Sequence, residues 1–168
     1  MAGATDAGPG GVICDTIVRM ATPSFSPYIS FPGNAHEAFD HYADLFGGTL
    51  DLRTYGSIGD TSGFPFEPPA DAVAHAQLTG GLVTLAGGDA IGDDVGGGAS
   101  ALASDHYSFI IGPDSVGSAR DLIDRVVSAG GEKVMPFEVA PWGDHYGQVR
   151  DRFGVVWQIV VPGDDQPG

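Results

Sequence analysis

Two stretches repeat their apolar residues at the period of an α-helix. In "PDSVGSARDLIDRVVSAGG" (113–131), Ala119, Leu122, Ile123, Val126 and Val127 fall at i, i+3, i+4, i+7 and i+8 and make one stripe. Asp114 or Ser115 can cap its start, and Gly130–Gly131 stop it. In "NAHEAFDHYADLFGG" (34–48), Asn34 with Glu37 gives a capping-box-like start, and Gly47–Gly48 end the run. Its stripe is Ala35, Ala38, Phe39, Tyr42, Leu45 and Phe46, which leaves His36 and His41 on the solvated side. Burying a large apolar side chain contributes roughly 1.5–3 kcal/mol, so each stripe can dock its helix on a partner surface.

Eight shorter stretches read as strands, and they are not scattered. "FSPYISF" (25–31) precedes the first helix, and "TLDLRTY", "AVAHAQLT" and "LVTLAG" (82–87) follow it. "DHYSFII" (105–111) precedes the second helix, and "KVMPFEV", "HYGQVRD" and "VVWQIVV" follow that one. A shift of about 80 residues superimposes strand, helix, Gly-Gly and strand on themselves, the mark of an internal duplication. The predicted fold class is α+β, with paired βαβββ modules forming a curved, cup-shaped mixed sheet. The modules span about 25–88 and 104–161 of one unit (25–161), between an N-terminal tail (1–24) and a short C-terminal one (162–168). The folded unit is expected to start near Met20. Two Gly- and Pro-rich stretches interrupt the pattern, 56–71 inside the first module and 87–100 between modules. Asp89, Asp93 and Asp94 lack the spacing of a calcium loop.

Composition narrows the function. Seven Lys and Arg against 22 Asp and Glu give a formal charge of −15, so no basic surface is available for phosphates and nucleic acid is excluded as a partner. A negatively charged membrane surface is excluded on the same ground, and no apolar run reaches the ~20 residues of a membrane span. The single cysteine, Cys14, allows neither an internal disulfide nor a multi-Cys zinc site and fits a cytoplasmic setting.

The stretches "YISFPGNAHEAFDHYADLFGG", "HAQLTGGLVTLAGGD" and "PWGDHYGQVRDRFGVVWQIV", set in a doubled βαβββ order, resemble the vicinal oxygen chelate superfamily. That superfamily holds glyoxalase I, bleomycin-resistance proteins and extradiol dioxygenases. The terminal D-x-F-G-x-x-W, with W-G-D-x-Y-G before it, resembles the PhnB-like, or 3-demethylubiquinone methyltransferase-like, branch. The resemblance implies a cup enclosing the site, homodimers whose modules often pair across chains, and metal ligands from the first and fourth strands of each module. Carried onto this chain, those four positions hold Pro27, nothing within "LVTLAGGD" except Asp89 after it, His106 and Gln158. One good ligand and one weak one imply that no metal is expected. If a divalent metal binds, His106 and Gln158 would hold it.

Strand alternation sorts the remaining candidates, because i and i+2 face the same way. His106 and Ser108 share one face of their strand, and the cup that the resemblance implies would turn His106 and Gln158 inward while Trp157 packs under the helices. His75 and Gln77 offer a second polar wall. Trp142 and Tyr146 stand at the expected mouth, where aromatic rings stack on or shield a flat ligand. Asp144 and His145 are a candidate polar pair there, Asp151 is expected to hold the turn before the last strand, and Gly147 suits a tight passage. Methyl transfer from S-adenosylmethionine is rejected, since no G-x-G-x-x-G follows a strand. Two readings remain: a cup that binds a neutral or cationic small molecule without metal, and a metal-dependent lyase, isomerase or dioxygenase using His106.

Overall fold

The computed structural model describes residues 25–59, 63–64, 67–91 and 102–163. The expected N-terminal tail with Cys14 and Met20, most of the linker between the modules, and the last five residues lie outside the described residues. Ten elements follow in order: β1 (Tyr28–Phe31), α1 (Ala35–Phe46), β2 (Thr49–Thr54), β3 (Val73–Thr79), β4 (Leu85–Asp89), β5 (Phe109–Ile111), α2 (Val116–Ser128), β6 (Glu132–Val139), β7 (His145–Arg150) and β8 (Val156–Val161). They form two four-stranded mixed sheets of identical plan, β1-β4-β3-β2 and β5-β8-β7-β6, each with its outer parallel pair β1–β4 or β5–β8. The doubled βαβββ order read from the sequence is therefore the architecture. Among the described residues no helix is long and apolar enough to cross a membrane.

Alternation gives each sheet a face buried under its helix and an open face. In β3, Val73, Ala76 and Leu78 are buried while His75, Gln77 and Thr79 are exposed. One buried cluster then takes residues from both modules, including Phe31, Phe39 and Tyr42 from the first and Val126, Phe153 and Trp157 from the second. Phe46 and Trp157 meet edge to face at 4.9 Å, an aromatic contact that fastens the modules together.

Asp151 sits at the centre of this junction and is the one charged side chain buried among the described residues, at 4% exposure. Its Oδ1 accepts the backbone N–H groups of Phe153 (2.9 Å) and Val155 (3.0 Å). Its Oδ2 accepts Tyr42 Oη–H at 2.8 Å and Trp157 Nε1–H at 2.9 Å. The turn-holding role read from the sequence is present, and beyond it the same carboxylate ties α1 of the first module to β8 of the second. Burial and the Asp151 carboxylate push the Tyr42 phenol well above its ordinary range, so it stays a donor.

Several local expectations need correction. Asn34 makes no side-chain cap on α1. The cap comes instead from the distant Asp89, whose Oδ1 accepts Ala35 N–H and whose Oδ2 accepts Val73 N–H, both at 2.8 Å. A carboxylate at a helix N-terminus also meets the positive end of the dipole. Since β4 runs to Asp89, that residue ends the strand rather than following it. At α2 the cap is as expected, with Ser115 Oγ accepting Ser118 N–H at 3.1 Å, but Val127 is exposed and drops out of the stripe. His41 is half-buried rather than solvated, its ring edge on Phe153 at 5.4 Å, and burial lowers its pKa.

Candidate functional site

The β7–β8 hairpin builds the site, and its turn explains why. Asp151 and Val155 close the hairpin by a backbone bond of 2.9 Å, with Gly154 at φ 96°, a conformation that favours glycine. The resulting register sets Gln148 opposite Gln158, Tyr146 opposite Val160 and Arg150 opposite Val156 on the open face, while Val149 and Trp157 point into the core. β5 adds Ile110 beside Gln158. Gly147 is required by the neighbouring strand, since a Cβ there would lie 2.8 Å from Phe137 Cα.

Two adjoining hollows mark this face. The first, of about 650 Å³, is lined by Ser104, Asp105, His106, Tyr107, Ser108, Val134, Gln148, Arg150, Val156 and Gln158. Gln158 Nε2–H donates to Ser108 Oγ at 2.6 Å, and Arg150 pairs with Glu132 at 2.5 Å. The second, of about 500 Å³, is lined by Met135, Pro136, Glu138, Val139, Ala140, Pro141, Trp142 and Tyr146. Trp142 and Tyr146 meet edge to face at 5.6 Å. Gln148 Nε2–H donates to Tyr146 Oη at 2.6 Å and so links the polar hollow to the aromatic one.

Of the residues singled out in the sequence, five line these two hollows: His106, Ser108 and Gln158 the first, Trp142 and Tyr146 the second. The route for two of them was wrong. β5 starts only at Phe109, so His106 and Ser108 precede the strand and alternation does not place them. That segment is shaped by its own bonds instead: His106 N–H to Ser104 Oγ at 3.0 Å and Tyr107 Oη–H to the Leu102 carbonyl at 2.7 Å. His75 and Gln77 are on the open face of the other sheet, where Tyr28 stacks on His75 at 6.1 Å, and they line neither hollow. Asp144 and His145 do not pair: Asp144 accepts Gly163 N–H, and the His145 ring lies against Phe137. Gln148, Arg150 and Glu138 were not singled out, although the period of two from Tyr146 already carries Gln148 and Arg150 to the same face.

A divalent ion at this face would have few free donors. Asp89 spends both oxygens on backbone N–H groups, and Gln158 directs its amide nitrogen to Ser108. Among the described residues no three His, Cys, Asp or Glu side chains converge. A catalytic site of this type uses about three protein ligands with one open position, which the described residues of one chain do not bring together.

Comparison with known proteins agrees with this fold. The chain is 29% identical over 146 residues to protein YjdN of Escherichia coli, covering 81% of this chain and 93% of that protein. The crystal structure of protein PA1353 from Pseudomonas aeruginosa is 28% identical, with a TM-score of 0.62 over 85% of this chain and 100% of that one. The PhnB protein of Bacillus cereus shares the fold at 17% identity and a TM-score of 0.58, over 83% of this chain and 99% of that one. The family model of the Glyoxalase/Bleomycin resistance protein/Dioxygenase superfamily matches residues 25–159. With four-fifths of its length inside that match and the same doubled fold, the chain belongs to the Glyoxalase/Bleomycin resistance protein/Dioxygenase superfamily.

Proposed function

We propose that residues 25–161 act as one small-molecule-binding unit, with the ligand lying along the open face of the second sheet. The observation that supports this most is the continuous floor from Ser108 and Gln158 through Gln148 to Tyr146 and Trp142. It offers polar anchors at one end and aromatic surface at the other, the usual make-up of a ligand site. His106, exposed at the rim, is the residue proposed for proton exchange with a bound ligand. The binding needs no stoichiometric metal on this reading.

A homodimer is part of the proposal. Among the described residues of one chain both open faces stay uncovered, with Ile110 at 68% exposure on the second sheet and Tyr28 at 55% on the first. A second copy facing its first sheet to this groove would bring His75 and Gln77 over the ligand. Native mass spectrometry of untagged full-length protein reads metal and copy number together. The expected result is a dimer with metal well below one equivalent per chain. One equivalent of zinc, iron, nickel or manganese that disappears in His106→Ala would establish the metal-dependent reading instead, and a strictly single chain would remove the dimer.

A further inference from the structure

The hollow at Trp142 differs electrically from the groove beside it. Trp142 is 59% exposed and is held out by a tight turn in which Ala140 N–H donates to the Asp144 carbonyl at 2.7 Å and Gly143, at φ 104°, donates to the Ala140 carbonyl at 2.9 Å. Its ring stands at 65° to that of Tyr146, so the two form a corner rather than a parallel stack, and both line the hollow. Across the β6–β7 pair, Glu138 is opposite Tyr146. Glu138 forms no ion pair or side-chain hydrogen bond among the described residues.

No Lys or Arg lines this hollow, and the nearest cations along the same strands are already engaged. Arg150 pairs with Glu132 and Lys133 with Asp124. Arg150 is also four residues from Tyr146, roughly 13 Å along a strand. The two rings, the Glu138 carboxylate and a chain of formal charge −15 all attract positive charge, and among the described residues no Lys or Arg lines the hollow to offset them. A metal ion is a poor occupant, since one carboxylate falls far short of the oxygen ligands that hard cations take. An ammonium group carrying carbon substituents suits the corner better, because its charge is spread over methyl or methylene groups that can sit on the rings.

We propose that the Trp142–Tyr146–Glu138 hollow binds an organic ammonium group, the cationic head of a ligand whose body lies on Gln148 and Gln158. This rests on the groove being the ligand site and adds the charge class of what it holds. Cation–π attraction operates within about 6 Å of a ring centroid, a distance open to a head group seated in the angle that the two rings make in the hollow.

The test compares choline with its uncharged carbon isostere, dimethylbutanol, each titrated into full-length protein. Two-dimensional NMR follows the indole N–H of Trp142 and the side-chain amides of Gln148 and Gln158. The Trp157 indole, buried and bonded to Asp151, serves as the unperturbed reference. The expected result is that choline shifts the Trp142 signal at roughly fivefold lower concentration than dimethylbutanol does. Glu138→Gln should weaken choline by roughly threefold and leave dimethylbutanol unchanged, and added salt should act in the same direction as the substitution. Equal binding of the two compounds would overturn the ammonium assignment and leave the groove reading intact. Shifts at Gln148 and Gln158 without any at Trp142 would overturn the hollow alone. The absence of shifts at all three signals with either compound would overturn the ammonium assignment, while a neutral aromatic compound that still shifts Gln148 and Gln158 would preserve the groove.

Discussion

Replacing Asp151 with Ala is expected to destabilise the fold by about 3–5 kcal/mol, because a buried acceptor is removed from four donors at once. Two of those donors are backbone N–H groups of the turn, and two are side chains fixed in the core, so none can turn to water without moving the hairpin. For a chain of this length the loss corresponds to a fall in Tm of about 10 °C. Tyr42→Phe removes one donor and keeps the ring, and should cost about 1 kcal/mol. Urea unfolding of both variants checks the ratio as well as the size. The larger effect of Asp151→Ala would also reach the open face of the second sheet, where ligand binding is proposed, since the same turn sets the register of Gln148 against Gln158. A loss below about 1 kcal/mol would show that this carboxylate is not what joins the modules.

Gly87→Ala is expected to cost about 3 kcal/mol through overpacking rather than lost bonds. β4 runs between β1 and β3, and a Cβ at Gly87 would press on the Ile29 carbonyl and lie 2.8 Å from a ring carbon of Phe39. Neither can yield freely: Ile29 lies in the parallel pair with β4, and Phe39 is fully buried in α1. Gly147→Ala, with Phe137 at similar distance, should cost less because β6 is an edge strand with a register shift at that point. Thermal unfolding of the two variants side by side gives the comparison, and equal losses would count against the difference in rigidity.

How much of this was legible in the sequence depends on how far apart the partners lie. The helices and the doubled order were visible because their signals are local: a period near 3.6, Gly-Gly stops, and strands recurring about 80 residues apart. Asp151 was half legible. Its bonds to Phe153 and Val155 lie within four residues, whereas its bond to Tyr42 spans 109. The cap on α1 was misread for the same reason, since Asn34 is adjacent in sequence and Asp89 reaches Ala35 across 54 residues. "DHYSFII" alternates well enough to read as seven residues of strand, but only Phe109–Ile111 find partners on β8. Sheet formation depends on the neighbour as much as on the segment. His106 and Ser108 reached the groove by the path of the preceding bend, which no periodicity encodes.

Binding of a small molecule is proposed on the open face of the second sheet. The measurement that tests it most directly is amide shift mapping of full-length protein against a small set of aromatic compounds, with Gln158→Leu as the paired variant. The expected shifts gather on Ser108, Tyr146, Gln148 and Gln158 and on the Trp142 indole, and weaken in the variant. Shifts gathered instead around Gly33, His36 and Asp71, which line a separate cavity of about 570 Å³ at the start of α1, would contradict it.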